Sequence, residues 1–290
     1  MGGEVSIVGG NVIFTPTGNY YGGASFVYTV EDNGTTNGAP DPKTSGPAVV
    51  RFTITEVNDA PTANNDTLSN VAEDSGVRTI PFATLTANDS KGPANESFQT
   101  LTVKTVSNAV GGTVSIVGGN VLFTPTANYF GPASFQYTVE DNGTTNGVAD
   151  PKTSGAATVS FNVTAVADTP SVTNATTNAN TQTTSGLVIS RNPADGAEVT
   201  HFKITGITGG MLFKNDGVSV INNGDFITFA EGNAGLKFTP GTVNGSFTVQ
   251  ASLSASDAGL GGGTAIWRTR QHAVRAGAVQ HHGDSSHGRG

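Results

Sequence analysis

Acidic side chains are the residues of this chain best suited to chemistry, and their placement favours holding an ion over moving a proton. Glu31-Asp32 stand side by side in the polar stretch Val30-Glu31-Asp32-Asn33-Gly34, and Glu140-Asp141 repeat the arrangement. Adjacent loop carboxylates suit ion binding better than acid–base work, which needs a positioned proton donor and acceptor. Other ingredients of catalysis are sparse. Cysteine is absent, His201 is the only histidine before residue 272, and no serine sits in a nucleophile elbow. The missing thiols also exclude a disulfide scaffold and a thiolate metal site. Gly259-Leu260-Gly261-Gly262-Gly263 lacks the spaced aspartates of an ion-binding β-roll. Asn33-Gly34-Thr35 and Asn142-Gly143-Thr144 fit a glycosylation sequon but read first as turn signals. The expectation is a protein that is not an enzyme.

Charge narrows the partners. The net charge is −8 over 290 residues, yet residues 267–290 hold four Arg against one Asp, leaving 10 basic and 21 acidic groups in the body. A body at −11 does not hold nucleic acid through its phosphates. It suits divalent cations, or simply solubility. No apolar run approaches the ~20 residues of a membrane span.

The elements that position these acids are legible because the chain repeats itself. Residues 2–61 recur at 111–170 without a gap, with 44 of 60 positions identical. A period of that size is one ordinary domain. The first copy starts in mid-repeat, with no counterpart of 62–110 ahead of it, so the expectation is a piece of a longer array. Substitutions between copies mark the faces. In Ala48–Ile54 against Ala157–Val163, the positions of Ala48, Val50 and Phe52 are unchanged and Ile54 becomes Val163, while Val49, Arg51 and Thr53 become Thr158, Ser160 and Asn162. Fixed apolar positions alternating with free polar ones predict a half-buried strand. Gly9-Gly10 predicts a hairpin between Val8 and Asn11, and Pro16 ends the returning strand. Residues 77–87 and 99–107 are read as earlier strands of the full repeat. Tyr20-Tyr21 and Tyr129-Phe130 are read as core or corner residues. Many short strands and no helical period predict an all-β chain of tandem antiparallel sandwiches.

Four segments are expected: 1–59, the later half of a repeat; 60–168, a complete repeat; 169–266, a divergent one; and 267–290. The last carries the only Trp, four of the five His and no strand pattern. It reads as a frameshifted or mispredicted end, a His-rich metal tail being the sharper alternative.

The ending Tyr28-Thr29-Val30-Glu31-Asp32-Asn33-Gly34, continued by Arg51–Thr55 and Val57-Asn58-Asp59-Ala60-Pro61, resembles a cadherin-type repeat. Phe123-Thr124-Pro125-Thr126-Ala127-Asn128-Tyr129-Phe130-Gly131, followed by Val166-Ala167-Asp168-Thr169-Pro170, is similar to the bacterial cadherin-like, tandem-95 (Ig-like) repeats of large secreted RTX-type adhesins. The resemblance covers 2–170 well and 171–266 less well. It implies an extracellular or cell-surface location, neighbouring repeats as partners, and calcium at inter-domain junctions. Calcium takes six to eight oxygen ligands. At the first junction the resemblance points to Asn58 and Asp59 from the linker, Glu73-Asp74, Asp89 with Asn95 and Glu96, and Asp141, whose first-copy equivalent is Asp32. Asp and Asn in turns also cap their own backbone, so Asp59 before Pro61 has that plainer reading too. At the next junction Ala167 replaces Asn58, and Asn178 and Asn180 stand where acids would echo Glu73-Asp74, so less calcium binding is expected there. The function this implies is a stalk or spacer of a bacterial adhesin, with calcium-stiffened junctions serving cell adhesion or biofilm formation. The alternatives are a module binding host or matrix glycans or proteins through loops 31–46 and 140–155, or accessory repeats of a secreted enzyme.

Overall fold

A computed structural model describes residues 2–269, which divide between Thr164 and Ala165 into two compact units. Strands dominate both, and among the described residues no helix is long and apolar enough to cross a membrane.

In the first unit, residues 62–164 build a two-sheet sandwich. One sheet runs Thr102–Val110, Gly131–Glu140, Ala157–Thr164, with the short strands Asp66–Thr67 and Val71–Ala72 both along the far edge of Ala157–Thr164. The other runs Gly112–Val117, Asn120–Pro125, Arg78–Pro81. The two short strands pair parallel to Ala157–Thr164, whereas the other named ladders are antiparallel. The long excursion between them permits this, since parallel neighbours need a crossover and cannot be joined by a tight turn. Alternation fills the core: Ala157, Val159, Phe161 and Val163 are buried, with more exposed polar residues between them. They meet Val121, Phe123, Phe135 and Tyr137, and Phe123 lies edge-on to Phe161 at 4.9 Å. Gly118 and Gly119, both at positive φ, close the Val117/Asn120 hairpin as Gly9 and Gly10 close Val8/Asn11. These are the φ values a two-residue turn of right-handed twist demands.

Residues 77–87 are not one strand. Only Arg78–Pro81 pairs; Phe82–Leu85 then makes a single helical turn and Thr86–Asn88 a tighter one. Pro81 has no N–H with which to extend a ladder, and the turn swings Leu85 into the core. The strand expected at 99–107 lies at Thr102–Val110.

The first copy, residues 2–57, keeps half of this architecture. Gly3–Val8 pairs with Asn11–Pro16, and Gly22–Tyr28 with Ala48–Ile54, in the registers of the second copy. Even the ring geometry is preserved, Phe14 standing edge-on to Phe52 at 4.8 Å. The strand phase expected for Val50, Phe52 and Ile54 gives buried side chains at Val159, Phe161 and Val163 but only partial cover in the first copy, whose two layers lack the strands that residues 62–110 supply. Tyr20 and Tyr129 are corner residues: their hydroxyls donate to Gly23 O (2.6 Å) and Pro132 O (2.5 Å). Tyr21 and Phe130, by contrast, are exposed.

In the second unit the sheets run Phe226–Thr228, His201–Thr208, Ser246–Ser252, Leu260–Arg268 and Val220–Ile221, Gly210–Phe213, Lys237–Pro240. After Phe226–Thr228 the chain turns into the short helix Phe229–Asn233, started by a capping box of Thr228 and Glu231. The boundary expected at residue 267 also moves. Trp267 lies in the strand Leu260–Arg268, opposite Phe247, and is buried against Phe238 and Phe247 at ring distances of 5.1 and 5.4 Å. Trp267 is the one fully buried residue of this Gly-rich strand, whereas Ala157–Thr164 buries four. The rest of the expected tail, residues 270–290, lies outside the described residues.

Candidate metal centre around the Asn58-Asp59 linker

After Ile54 the chain leaves the first copy as an irregular linker and drives Asn58 into the loops of the sandwich. The Asn58 side chain is buried and fully engaged. Its Nδ2 donates to Asp141 Oδ1 (2.9 Å) and to Asp150 O (2.9 Å), and its Oδ1 accepts from Gln99 Nε2 (2.7 Å). Its backbone N–H donates to Thr145 Oγ1 at 3.0 Å. Residue 143 has to be glycine for this seat to exist, because a Cβ there would lie 1.9 Å from Asn58 Oδ1. Asp141 Oδ1 also accepts from the N–H groups of Gly143 and Lys152, both at 3.0 Å. That part of the site is turn-building, the plainer reading of an Asp in a loop.

The remaining oxygens are not accounted for in this way. The Asp59 N–H donates to Glu96 Oε1 at 2.7 Å, and Glu96 is only 1% exposed. Glu96 Oε2, Asp141 Oδ2, Asn95 Oδ1 and Gln99 Oε1 are all buried acceptors with no hydrogen-bond donor. Buried polar atoms are paired in the great majority of cases, and four unpaired acceptors in one neighbourhood require an explanation. Burial holds the Glu96 carboxyl above its ordinary value; the Asp59 N–H opposes that, and the charges of Asp59, Asp141 and Glu56 add to it. Among the described residues, no three His, Cys, Asp or Glu side chains are gathered as ready metal ligands. The centre is therefore an all-oxygen acceptor set, held apart by Asn58 and backbone N–H groups.

Of the residues singled out in the sequence, the structure brings together Asn58, Asp59, Asn95, Glu96 and Asp141. Asp89 is engaged elsewhere: its Oδ1 accepts from the Asn64 N–H (2.7 Å) and from the Tyr137 hydroxyl (3.1 Å). Burial pushes the carboxyls of Asp89 and nearby Asp66 up. Glu73 and Asp74 stand at the wrong end of the sandwich. The Glu73 N–H donates to Thr164 O, where Ala157–Thr164 ends, whereas Asp141 follows the opposite end of that ladder, beyond the Tyr137–Ala157 pair. The six residue steps from the Tyr137–Ala157 pair to the Gly131–Val163 pair span roughly 20 Å at ~3.3 Å each, so these acids do not converge on Asn58.

Gln99, Glu56, Thr145 and Asp150 were not singled out. Thr145 and Asp150 lie in the invariant part of the repeat, a signal that was available, but Gln99 carries no mark of its role in a polar stretch. The second unit holds a related arrangement around the aspartate that replaces Asp59. The Asp168 N–H donates to Asp195 Oδ1 at 2.9 Å, and Asp195 Oδ2 and Glu198 Oε2 are buried without donors. Burial, then the charges of Asp168 and Glu198, push the Asp195 carboxyl up, against the N–H of Asp168. These acids come from the Asp195-Gly196-Ala197-Glu198 turn and not from Asn178–Thr181, where the sequence pattern places them.

No curated protein matches the chain significantly. Among solved structures, three cadherin repeats of mouse cadherin-23 (EC22-24) are 13% identical, covering 91% of this chain and 79% of that one at a TM-score of 0.44. Repeats EC21-23 of human CDH23 are 12% identical, with coverages of 77% and 68% and a TM-score of 0.42. Drosophila N-cadherin EC1-4 is 12% identical, with coverages of 92% and 64% and a TM-score of 0.33. These likenesses are distant. Residues 57–164, which contain the linker and every donorless oxygen around it, match the family model of the cadherin-like domain.

Proposed function

We propose that this chain is a stalk or spacer region of an extracellular adhesion protein of the bacterial adhesin type, whose repeats are stiffened against one another by calcium. The observation that carries this reading is the set of four donorless buried oxygens beside the Asn58-Asp59 linker. All are hard oxygen donors, the chemistry calcium takes, and carboxamide oxygens accompany the carboxylates as they do in calcium sites generally. Asp59, Asn95, Glu96 and Asp141 would hold the ion, with Gln99 beside them. Bound calcium would supply the positive charge that offsets the repulsion among these carboxylates. Asn58 then acts as the positioning residue, tying the linker to Asp141, Asp150 and Gln99. Without the ion, the charges of Glu56, Asp59, Glu96 and Asp141 oppose one another, and the linker loosens. The chain's own contribution is rigidity, with no reaction to catalyse.

Thermal unfolding of the whole chain against calcium concentration tests this. An ion that binds only the folded state raises Tm with its logarithm, by the equivalent of ~2.7 kcal/mol at a hundredfold excess over Kd. Glu96→Gln and Asp59→Ala should each blunt the gain. Absence of binding heat at millimolar calcium, with Tm unchanged, would sink the proposal. The glycan-binding alternative has one foothold, the exposed rings of Tyr21 and Phe130 at the same turn of both copies; glycan retention lost in Phe130→Ala would favour it.

A further inference from the structure

The sequence holds two copies of one scaffold and a single copy of the segment that covers it. In the second copy, residues 62–110 close the sandwich: Ile80 pairs with Val121, Val106 with Tyr137, and Asp66 with Val159. The first copy presents the same residues uncovered. Val12 is 50% exposed where Val121 is 0%, Tyr28 44% where Tyr137 is 1%, and Phe52 36% where Phe161 is 5%. A groove of about 400 Å³ opens beside Val5, Ile7, Val12, Phe26 and Tyr28. The edge strand is shortened too. Gly131–Glu140 runs ten residues because Thr102 and Val103 pair with Glu140 and Val139; Gly22–Tyr28 runs seven.

We propose that the open face of residues 2–57 is a docking surface for a polypeptide segment with the chemistry of residues 62–110, added along the free edges of Asn11–Pro16, Gly22–Tyr28 and Ala48–Ile54. The receiving groups are already in place. Within the second copy, Thr105 hydrogen-bonds Thr138 (2.7 Å), Lys104 pairs with Glu140 (2.8 Å), and Asn108 donates to Gln136 (2.6 Å). The corresponding first-copy residues are Thr29, Glu31 and Val27, so two of the three receptors are identical. Backbone pairing along free strand edges supplies affinity, and alternate side chains entering the apolar face supply specificity.

The free polypeptide 62–110, added to the whole chain, tests this by hydrogen-exchange mass spectrometry. One equivalent should slow exchange at least tenfold across residues 11–31, with no change at 120–140. Val12→Asp with Tyr28→Asp, on a face that is already exposed, should abolish the effect. Val27→Gln restores the third receptor and should tighten binding about fivefold, the worth of one net hydrogen bond. Because the free segment can self-associate, the same 49 residues fused ahead of Gly2 form a second arm, in which residues 2–57 should reach the protection of 111–166. No protection in either arm, protection indifferent to the double substitution, or a homodimer that the segment does not dissociate, would each overturn the proposal.

Discussion

Residues 2–57 and 111–166 are nearly the same sequence in two states of completion, and their difference separates what local sequence fixes from what packing adds. Strand registers, the two-glycine hairpin, the tyrosine corner and the Phe14/Phe52 ring geometry are the same in both copies. Backbone ladders and turn chemistry thus arise from contacts inside the copy. Burial, strand length and buried hydrogen bonds arise from the covering segment. Tyr137 reaches Asn64 O, Leu85 O and Asp89, and burial followed by the nearby Asp66 and Asp89 pushes its phenol up; Tyr28 stands exposed. Asp141 and Asp32 differ through the linker instead. Each accepts the N–H groups of the glycine and lysine of its loop, yet Asp141 alone also meets Asn58 from the linker.

The largest expected effect tests whether the covering layer is what makes a core. Phe161→Ala removes a buried ring packed on Phe123 and should cost about 3–5 kcal/mol in denaturant unfolding. Phe52→Ala removes the same ring from an uncovered face and should cost about 1 kcal/mol, from apolar area alone. Equal costs would mean that the first copy is closed in solution, and the comparison between the copies would fail.

A smaller effect isolates the linker. Gly143→Ala places a methyl group 1.9 Å from Asn58 Oδ1, where the linker seat must give way, and should destabilise by about 1–3 kcal/mol. At the equivalent Gly34 the nearest atom is Asp32 Oδ1 at 3.1 Å, a contact a surface side chain can relieve. Gly34→Ala should therefore stay within about 0.5 kcal/mol. Both can be read from melting curves of the whole chain.

How much of this was legible beforehand follows from what the repeat exposes. Substitutions between copies mark core faces directly, so Val159, Phe161 and Val163 were readable as a buried stripe from the sequence. Segments present once gave no such control. Residues 77–87 look like an alternating strand, but Pro81 ends the ladder and Leu85 enters the core from a helical turn. Trp267 stands alone among glycines and arginines, and its burial depends on Phe238 and Phe247 from distant strands. At the candidate centre, residues local to the linker and the repeat loop were found. Glu73 was misplaced because spacing along the chain does not tell which end of a sandwich a residue reaches, whereas the strand pairing does.

The smallest predicted effect is also the most diagnostic, because its sign depends on the ion. Glu96 sits buried among Glu56, Asp59 and Asp141, so its folded-state carboxyl is raised above the ordinary value of 4.5 it has when unfolded. A group whose folded pKa is raised favours the folded state most when protonated, and that advantage is lost as pH rises from about 4.5 through the folded value. In chelator, the whole chain should therefore lose stability over that window, and Glu96→Gln, which keeps the acceptor for the Asp59 N–H while removing the charge, should flatten the loss. The same change should make the protein slightly more stable than wild type at neutral pH without calcium. With millimolar calcium the order should reverse, since the ionised carboxylate then has a partner and the amide is a weaker ligand. Melting temperatures of the two proteins at pH 4.5 and 7.5, with and without calcium, read all four corners. A Glu96→Gln protein less stable than wild type at pH 7.5 in chelator would show that the buried carboxylate is satisfied within the protein, and that its donorless oxygen needs no ion.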